Sequence, residues 1–382
     1  MTNIQTPDRQ SRLQGSEATA SGLDKVIAAE TRLSDVDGEA GRLIIAGHDV
    51  VDLAARYDFE SAAALLWQTS GMEPAPEASA MRHAFADARV EANALVPRLL
   101  VATKGQTITE GLRTGLSLLV DEAETPAPLR LVGAMPVFIA ALCRQAKGKV
   151  PIAPDASLGQ AADFLRMLHG ARASDAEVEA LNAYLVTVMD HGMNASTFTA
   201  RVIASTRAGM ISAVIGALGA LKGPLHGGAP GPVLDMLDAI GTRANIKPWL
   251  AREVARGERL MGFGHRVYRV RDPRADVFNK AVMTLTNGNE RLQFAREVEA
   301  GALEALRAAK PGTRIDTNME YYTALLLEAL RIPNEAITPV FAMSRIVGWT
   351  SHIIEQERVG RIIRPQSVYV GPLPDSHDSE AA

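Results

Sequence analysis

The sequence predicts a mainly α-helical protein with a little β structure near its start. Apolar residues recur at helical spacing over most of the chain, and helix-start chemistry stands ahead of two of these stretches. Short β-branched patches broken by Gly and Asp turns are confined to the region just after the N-terminal tail. With 382 residues, and roughly 150 residues per domain, two or three domains with a large core and room for a cleft are expected.

Taken in order, the first 21 residues are polar and carry both charge signs. They lack an apolar run of signal-peptide length, and Asp8 and Glu17 do not suit a transit peptide, so a disordered tail is expected. From Gly22, GLDKVIAAETRLSDVDGEAGRLIIAGHDVVDLA reads as a few short strands or irregular segments before the first helix. In SDAEVEALNAYLVTVMDHG, Ser174 and Glu177 form a capping box, and Val178, Leu181, Leu185 and Val188 share one face of a helix expected to end near Gly192. The stretch STFTARVIASTRAGMISAVIGALGALKG is apolar on most faces and rich in Ala and Gly, as a core or oligomer interface requires. Thr338–Pro339 reads as an N-cap followed by Pro at the first helical position, opening a helix apolar all round and therefore buried. Pro and Gly clusters at 72–76, 125–128, 147–154, 222–232 and 311–312 separate the helices, and no repeat of about 20–50 residues suggests a solenoid.

Composition narrows the function. Forty Lys and Arg against 44 Asp and Glu leave a net charge of −4, so no nucleic-acid surface dominates the field and charged ligands must be met locally. One cysteine, Cys143, excludes an intrachain disulfide framework and thiolate-rich metal sites and fits a reducing, cytoplasmic setting. No stretch reaches about 18 uninterrupted apolar residues, so no membrane span is expected. GxGxxG after a strand, GxxxxGK[ST], HExxH and paired CxxC are all absent, which removes support for the common nucleotide and zinc chemistries.

Three of the eight histidines stand where packing does not readily explain them. His191, in DHGMNAST, follows the capped helix; it reads either as a C-terminal capping histidine or as a ligand-facing one. His226, in KGPLHGGAPGPV, lies in a Gly/Pro loop ahead of a helix starting around Pro232. The positive end of a helix favours a neutral imidazole able to donate an N–H to an oxyanion; a plain surface turn is the alternative. His265, in MGFGHRVYRVRDPRA, has Gly262 and Gly264 before it and Arg266, Arg269, Arg271 and Arg274 after it. This combines an acid/base group with guanidinium forks suited to carboxylate or phosphate, or else is a solvated charge run. Glu320 opens an apolar helix beside Met319, Tyr321 and Tyr322, where desolvation raises and the helix end lowers its pKa; a simple N-terminal helix charge is the alternative. Arg345, in an apolar helix, and Arg364, in IIRPQS, call for anionic partners. His83, His169 and His352 read as helix-face residues, His377 as part of the polar tail, and His48 stays undecided.

The strings GPLHGGA, GFGHRVYRVRDPR, NMEYYTALLLEALRIP, MSRIVGWTSHIIEQ and RPQS, with HGMNASTFTAR and AAETRLSDVDGEAGRLIIAG upstream, resemble citrate synthases in identity and order from about Gly22 to Pro372. The resemblance implies a nearly all-α homodimer. Each subunit would have a large domain (22–221 and 326–382) and a smaller mobile domain (222–325) that closes over the substrates. It implies condensation of acetyl-CoA with oxaloacetate and hydrolysis of citryl-CoA, with acetyl-CoA as a substrate and neither cofactor nor metal. By matching positions, His226 stabilises the thioester enolate, His265 polarises the ketone, and Glu320 is the base. His191, Arg274 and Arg345 bind oxaloacetate, and Arg364 does so across the dimer interface. Arg269, Gly262 and Gly264 bind CoA, Arg269 at a phosphate. The family usually has Asp where this chain has Glu320. Propionyl-CoA as substrate (2-methylcitrate synthesis), a weakly catalytic CoA- or oxo-acid-binding paralogue, and a purely structural helical scaffold are the competing readings.

Overall fold

The computed structural model describes Leu23 and residues 26–227, 231–264, 268, 270–312, 315–367, 369 and 371–372. The predicted N-terminal tail and His377 fall outside the described residues. The chain divides into a short unit, Met1–Arg32, and a body, Leu33–Ala382. In the first unit the N–H of Val26 donates to Leu23 O at 3.0 Å, closing a turn ahead of irregular chain.

The body opens with an antiparallel sheet, ordered β1 (Ser34–Asp37), β2 (Arg42–Ile45), β3 (His48–Asp49), where the sequence pattern places strands. Ser34 faces Ile45, and Ile45 faces His48. Leu43 and Ile45 alternate inward and are fully buried. Among the described residues the rest is helical or connecting chain. The first seven helices are α1 (Val50–Arg56), α2 (Phe59–Ser70), α3 (Ala78–Asn93), α4 (Val96–Ala102), α5 (Ile108–Leu116), α6 (Ala127–Ala146) and α7 (Gln160–His169). After them come α8 (Asp175–Thr187), α9 (Ala195–Ala204), α10 (Met210–Leu221), α11 (Gly231–Ile240), α12 (Ile246–Ala255), α13 (Pro273–Thr286), α14 (Glu290–Ala309), α15 (Met319–Ala329) and α16 (Ile337–Val359).

Helix α6 runs through the core. It is 20 residues long and apolar enough to cross a membrane, but 83% of its apolar window is buried in the fold, which accounts for its composition. Pro136 within it has no N–H to give Val132 O; the side chain of Gln160 donates to that carbonyl instead, at 2.9 Å. Gln160 Oε1 in turn accepts from the buried Arg89, whose Nε pairs with Asp163 at 2.8 Å. Helices α6 and α3 approach so closely that a Cβ on Gly133 would lie 2.5 Å from the backbone carbon of Ala88.

The Ser174–Glu177 capping box forms as predicted, with both reciprocal bonds, but α8 ends at Thr187, short of Gly192. The long Ala/Gly stretch is two helices, α9 and α10. Arg207 (φ 60°) and Gly209 (φ 91°) turn the chain between them, and Asp121 accepts the N–H of Ile211 at 2.9 Å. The predicted N-cap at Thr338 is not one: α16 starts a residue earlier, straight from a 3₁₀ turn at Asn334–Ala336. Thr338 lies inside the first turn and its hydroxyl donates to Gly227 O at 3.2 Å. Helix α13 packs on α15 on one side and on α8 and α1 on another, with the rings of Tyr184 and Phe278 5.5 Å apart at the α8 contact.

Gly133→Ala is expected to destabilise the protein by about 1–3 kcal/mol through forced separation of α3 and α6; an unchanged denaturation midpoint would show that the two helices yield freely.

Candidate active site

His191, which reads from the sequence either as a helix cap or as a ligand-facing residue, lies four residues past the end of α8, on non-helical chain. That chain lies against α16, where a Cβ at Gly348 would stand 2.2 Å from Met189 O. Arg345, one turn earlier on α16 and 1% exposed, donates from Nε to Val188 O at 2.8 Å. Its guanidinium lies 4.8 Å from the Phe341 ring centroid. Burial lowers the Arg345 pKa to about 10, against the pull of Asp190 and with help from Arg274, so the side chain still carries its charge at neutral pH. His191 is half-buried, with Nε2 3.1 Å from the Tyr268 hydroxyl.

Two residues on, Asn194 caps α9 by accepting from the N–H groups of Ser196 and Thr197. This sets the helix start against the turn that carries His226. The N–H of Ser196 reaches His226 Nε2 at 3.3 Å, and Ser196 Oγ lies 2.8 Å from the same nitrogen. A backbone N–H can only donate, so Nε2 accepts and the ring proton sits on Nδ1. Burial, and then the charge of Arg345, depress the His226 pKa to about 4. The helix start facing this imidazole is that of α9, not the one that follows it in sequence. The result matches the neutral donor expected from the Gly/Pro loop.

Glu320 is in the first turn of α15. Its Oε2 is buried with no hydrogen-bond partner among the described residues. Burial raises its pKa, with Arg274 and its own main-chain hydrogen bond opposing, so it binds a proton more tightly than an ordinary carboxylate. The chain leading into α15 is zipped to the glycine loop: Gly264 N–H donates to Asp316 O, and Asn318 N–H to Gly262 O. Asn318 Nδ2 donates to Gly264 O at 2.9 Å. Both glycines have positive φ, 87° and 75°, and a Cβ at Gly262 would lie 2.7 Å from the Tyr321 ring. The contacts of Gly262 and Gly264 thus run to the segment carrying Glu320, so these glycines hold that segment as well as shaping their own loop.

Arg274, 3% exposed, sits on α13 with its Nε and Nη2 on the two oxygens of Asp272, at 3.0 and 2.8 Å, and its guanidinium 5.6 Å from the Tyr268 ring centroid. Arg271 pairs with Asp276 at 2.7 Å and lies within 4 Å of Glu299 and Asp316. Of the cationic run, Arg271 and Arg274 are thus paired with acids of their own neighbourhood, and Arg271 belongs to a structural cluster. His265, Arg266 and Arg269 lie outside the described residues. Arg364 is exposed on the chain after α16 and pairs with no acid among the described residues.

The structure thus couples the charges of His226, Arg345, Arg274 and Glu320 in series, joins His191 to Arg274 through Tyr268, and leaves Arg364 at the surface. Sequence inspection missed Ser196, Asp190, Tyr268 and Asp272; an Asn two residues before a Ser at a helix start was the available signal for Ser196. His352, read as a helix-face residue, is fully buried between Asp190 and Arg201. His169 closes α7 with Nε2 3.0 Å from Leu330 O, and His48 packs edge-on to Tyr57. Burial pushes the Cys143 thiol up to about 12, leaving it inert. Among the described residues no cluster of His, Cys, Asp and Glu could hold a metal ion. The set offers a neutral N–H donor, a carboxylate of raised basicity and two buried guanidiniums. These suit removal of a proton next to a carbonyl beside a bound carboxylate.

Comparison with known proteins agrees. A family model described as "Citrate synthase, C-terminal domain" matches residues 22–366. The chain is 36% identical to a 2-methylcitrate synthase of Mycobacterium tuberculosis, covering 92% of this chain and 90% of that one. It is 35% identical to citrate synthase 2 of Bacillus subtilis, covering 92% and 95%. A solved structure of citrate synthase from Thermoplasma acidophilum, in ternary complex with carboxymethyl coenzyme A and oxaloacetate, superposes with a TM-score of 0.82 at 27% identity, covering 94% of this chain and 98% of that one.

His226 should stay neutral in an NMR titration until about pH 4, where an ordinary histidine half-titrates near about 6.5. The folded state binds this proton more weakly than the unfolded chain does, so the contribution to stability is present above about 6.5 and lost as pH falls through that window. A midpoint near 6.5 would contradict the assignment.

Proposed function

The chain belongs to the citrate synthase family, and on that premise we propose that it condenses acetyl-CoA with oxaloacetate and hydrolyses the resulting citryl-CoA to citrate and CoA. The observation that carries the reading is a neutral Nδ1–H donor at His226 and a buried carboxylate at Glu320 joined through the mutually coupled charges of Arg345 and Arg274.

In this reading Glu320 removes a methyl proton of the acetyl thioester while His226 donates to the enolate oxygen. Charge develops on that oxygen in the transition state, so a donor already in place lowers the barrier without reorganisation. The enolate carbon then bonds to the ketone carbon of oxaloacetate. The ketone oxygen gathers charge and is protonated; by motif, His265 is assigned to it. Arg274, Arg345 and His191 hold the oxo acid, whose carboxylates meet guanidiniums kept charged and aimed by Asp272 and Val188 O. Arg364, exposed in one subunit, is assigned to the site of a second, which makes the working unit a homodimer. Arg269 is assigned to a CoA phosphate. Water then cleaves the thioester, releasing CoA. Acetyl-CoA is a substrate here, and no step calls for a metal or resident cofactor.

The small domain, 222–325, is taken to close on the large one. The α13 contacts with α8 and α1 are the seam on which it would move. Closure expels water, which strengthens each of these electrostatic contacts. Glu320 in place of the usual Asp adds one methylene, which a shift of the 316–318 backbone, tied to the 262–264 loop, would absorb. The raised Glu320 pKa has a kinetic consequence. The base works only when ionised, so activity falls as pH drops through a value above the ordinary carboxylate range.

CoA release from acetyl-CoA should depend on oxaloacetate, and acetyl-CoA should outpace propionyl-CoA in kcat/KM. Preference for propionyl-CoA would transfer the assignment to 2-methylcitrate synthesis, and no release with either would overturn it. Glu320→Gln should lower turnover by about 10²–10⁴-fold while oxaloacetate still raises the melting temperature; near-normal turnover would remove Glu320 from the mechanism.

A further inference from the structure

Behind the His191 turn lies a polar network that the proposed chemistry does not use. Asp190 is fully buried, and its Oδ2 accepts from Ser34 Oγ and from His352 Nε2, the latter at 3.2 Å. On the far side of the ring, Arg201 Nη1 donates to His352 Nδ1 at 2.9 Å. A carboxylate accepts and a guanidinium donates, so the two neighbours fix His352 as the neutral Nε2–H tautomer. The imidazole is an uncharged spacer between a buried anion and a buried cation. Arg201 is shared onward: Nη1 donates to Glu355 Oε2 at 2.6 Å, and Nε to Gln356 Oε1 at 3.0 Å.

One end of this chain of bonds reaches main chain next to a residue of the proposed oxo-acid site, and the other reaches main chain three residues before a second. At one end Ser34 Oγ accepts the N–H of Gly192 at 2.9 Å, directly after His191. At the other, Gln356 Nε2 donates to Arg361 O at 3.0 Å, on the segment that carries Arg364; a separate bond, from the N–H of Ile363 to Ser205 Oγ, holds the same segment. The network also holds polar atoms that packing alone would not keep. Asp190 Oδ1 and Arg201 Nη2 are buried with no hydrogen-bond partner among the described residues. A merely space-filling role at His352 would be served as well by an apolar side chain, without that desolvation cost.

We propose that Asp190, His352 and Arg201 form a positioning relay that sets the main chain of the His191 turn and of the Arg364 segment for oxo-acid binding. None of the three is a catalytic residue, since each acts through another. The inference rests on the citrate synthase reading only in taking His191 and Arg364 as ligands of the oxo acid.

Glutamine separates positioning from bulk stability, because its Oε1 accepts from Arg201 while its Nε2 donates to Asp190. His352→Gln should keep KM for oxaloacetate within about threefold of wild type, whereas His352→Leu should raise it about 10–100-fold, as a misplacement of about 1 Å does. KM for acetyl-CoA should change less than about twofold in both. Ser34→Ala, at a half-buried strand start, removes the Asp190–Gly192 link without opening the core, so it reports even where His352→Leu fails to fold; a severalfold rise in oxaloacetate KM is expected. Equal oxaloacetate KM in wild type, His352→Leu and Ser34→Ala would overturn the relay. So would a His352→Gln that behaves as His352→Leu, or loss of kcat in step with melting temperature at constant KM. A wild-type enzyme that releases no CoA with oxaloacetate would instead overturn the functional reading, leaving calorimetric oxaloacetate binding by the same variants to decide on the relay.

Discussion

A guanidinium sunk in the middle of the 23-residue helix α16 sets the terms for the parts around it. Arg345 is nearly solvent-free, and an unpaired charge in such a place would be too costly to hold. Its Nε therefore takes Val188 O, and Asp190 supplies a nearby negative charge. That arrangement requires the chain after α8 to leave the helix and lie flat on α16, which Gly348 permits by having no Cβ. Once residues 188–190 are pinned there, His191 is presented, Asn194 falls at the start of α9, and Ser196 meets His226.

The same low-dielectric setting shapes the proposed acid/base pair. Burial acts against the charged form of both groups, lowering the His226 pKa and raising that of Glu320. For a donor that must stay neutral this is the required result. For a base that must be ionised it is a cost, which the Arg274 charge partly offsets. Arg274 is itself held by Asp272, so its orientation is set before any ligand arrives. Pre-oriented charge of this kind is more effective than charge that must reorganise during reaction.

Much of the fold was legible from local chemistry. The Ser174–Glu177 box, the strand-bearing region before α1 and the placing of Glu320 in the first turn of α15 all follow from rules that act over a few residues. What the sequence could not show came from long-range packing. The stop of α8 at Thr187 follows from the claim of α16 on Val188 O, more than a hundred residues away. The start of α16 ahead of Thr338 reflects a 3₁₀ turn and a tie to Gly227 that no local pattern encodes. His352 looked like any helix-face histidine because Asp190 and Arg201 reach it from other helices and turns. The site histidines and arginines stood out because glycine, proline and apolar neighbours are odd company for them. Asp272 and Tyr268, which aim Arg274 and His191, sit in ordinary company and did not.

If buried, pre-aimed guanidiniums are what recognise the oxo acid, the decisive measurement is calorimetric binding of oxaloacetate to wild type and to Arg345→Lys. Lysine keeps the charge and the apolar stem but loses the planar fork that bonds Val188 O and a carboxylate together. The account predicts at least about a tenfold loss of affinity with the helical signal retained. Equal affinity in a folded Arg345→Lys protein would contradict it.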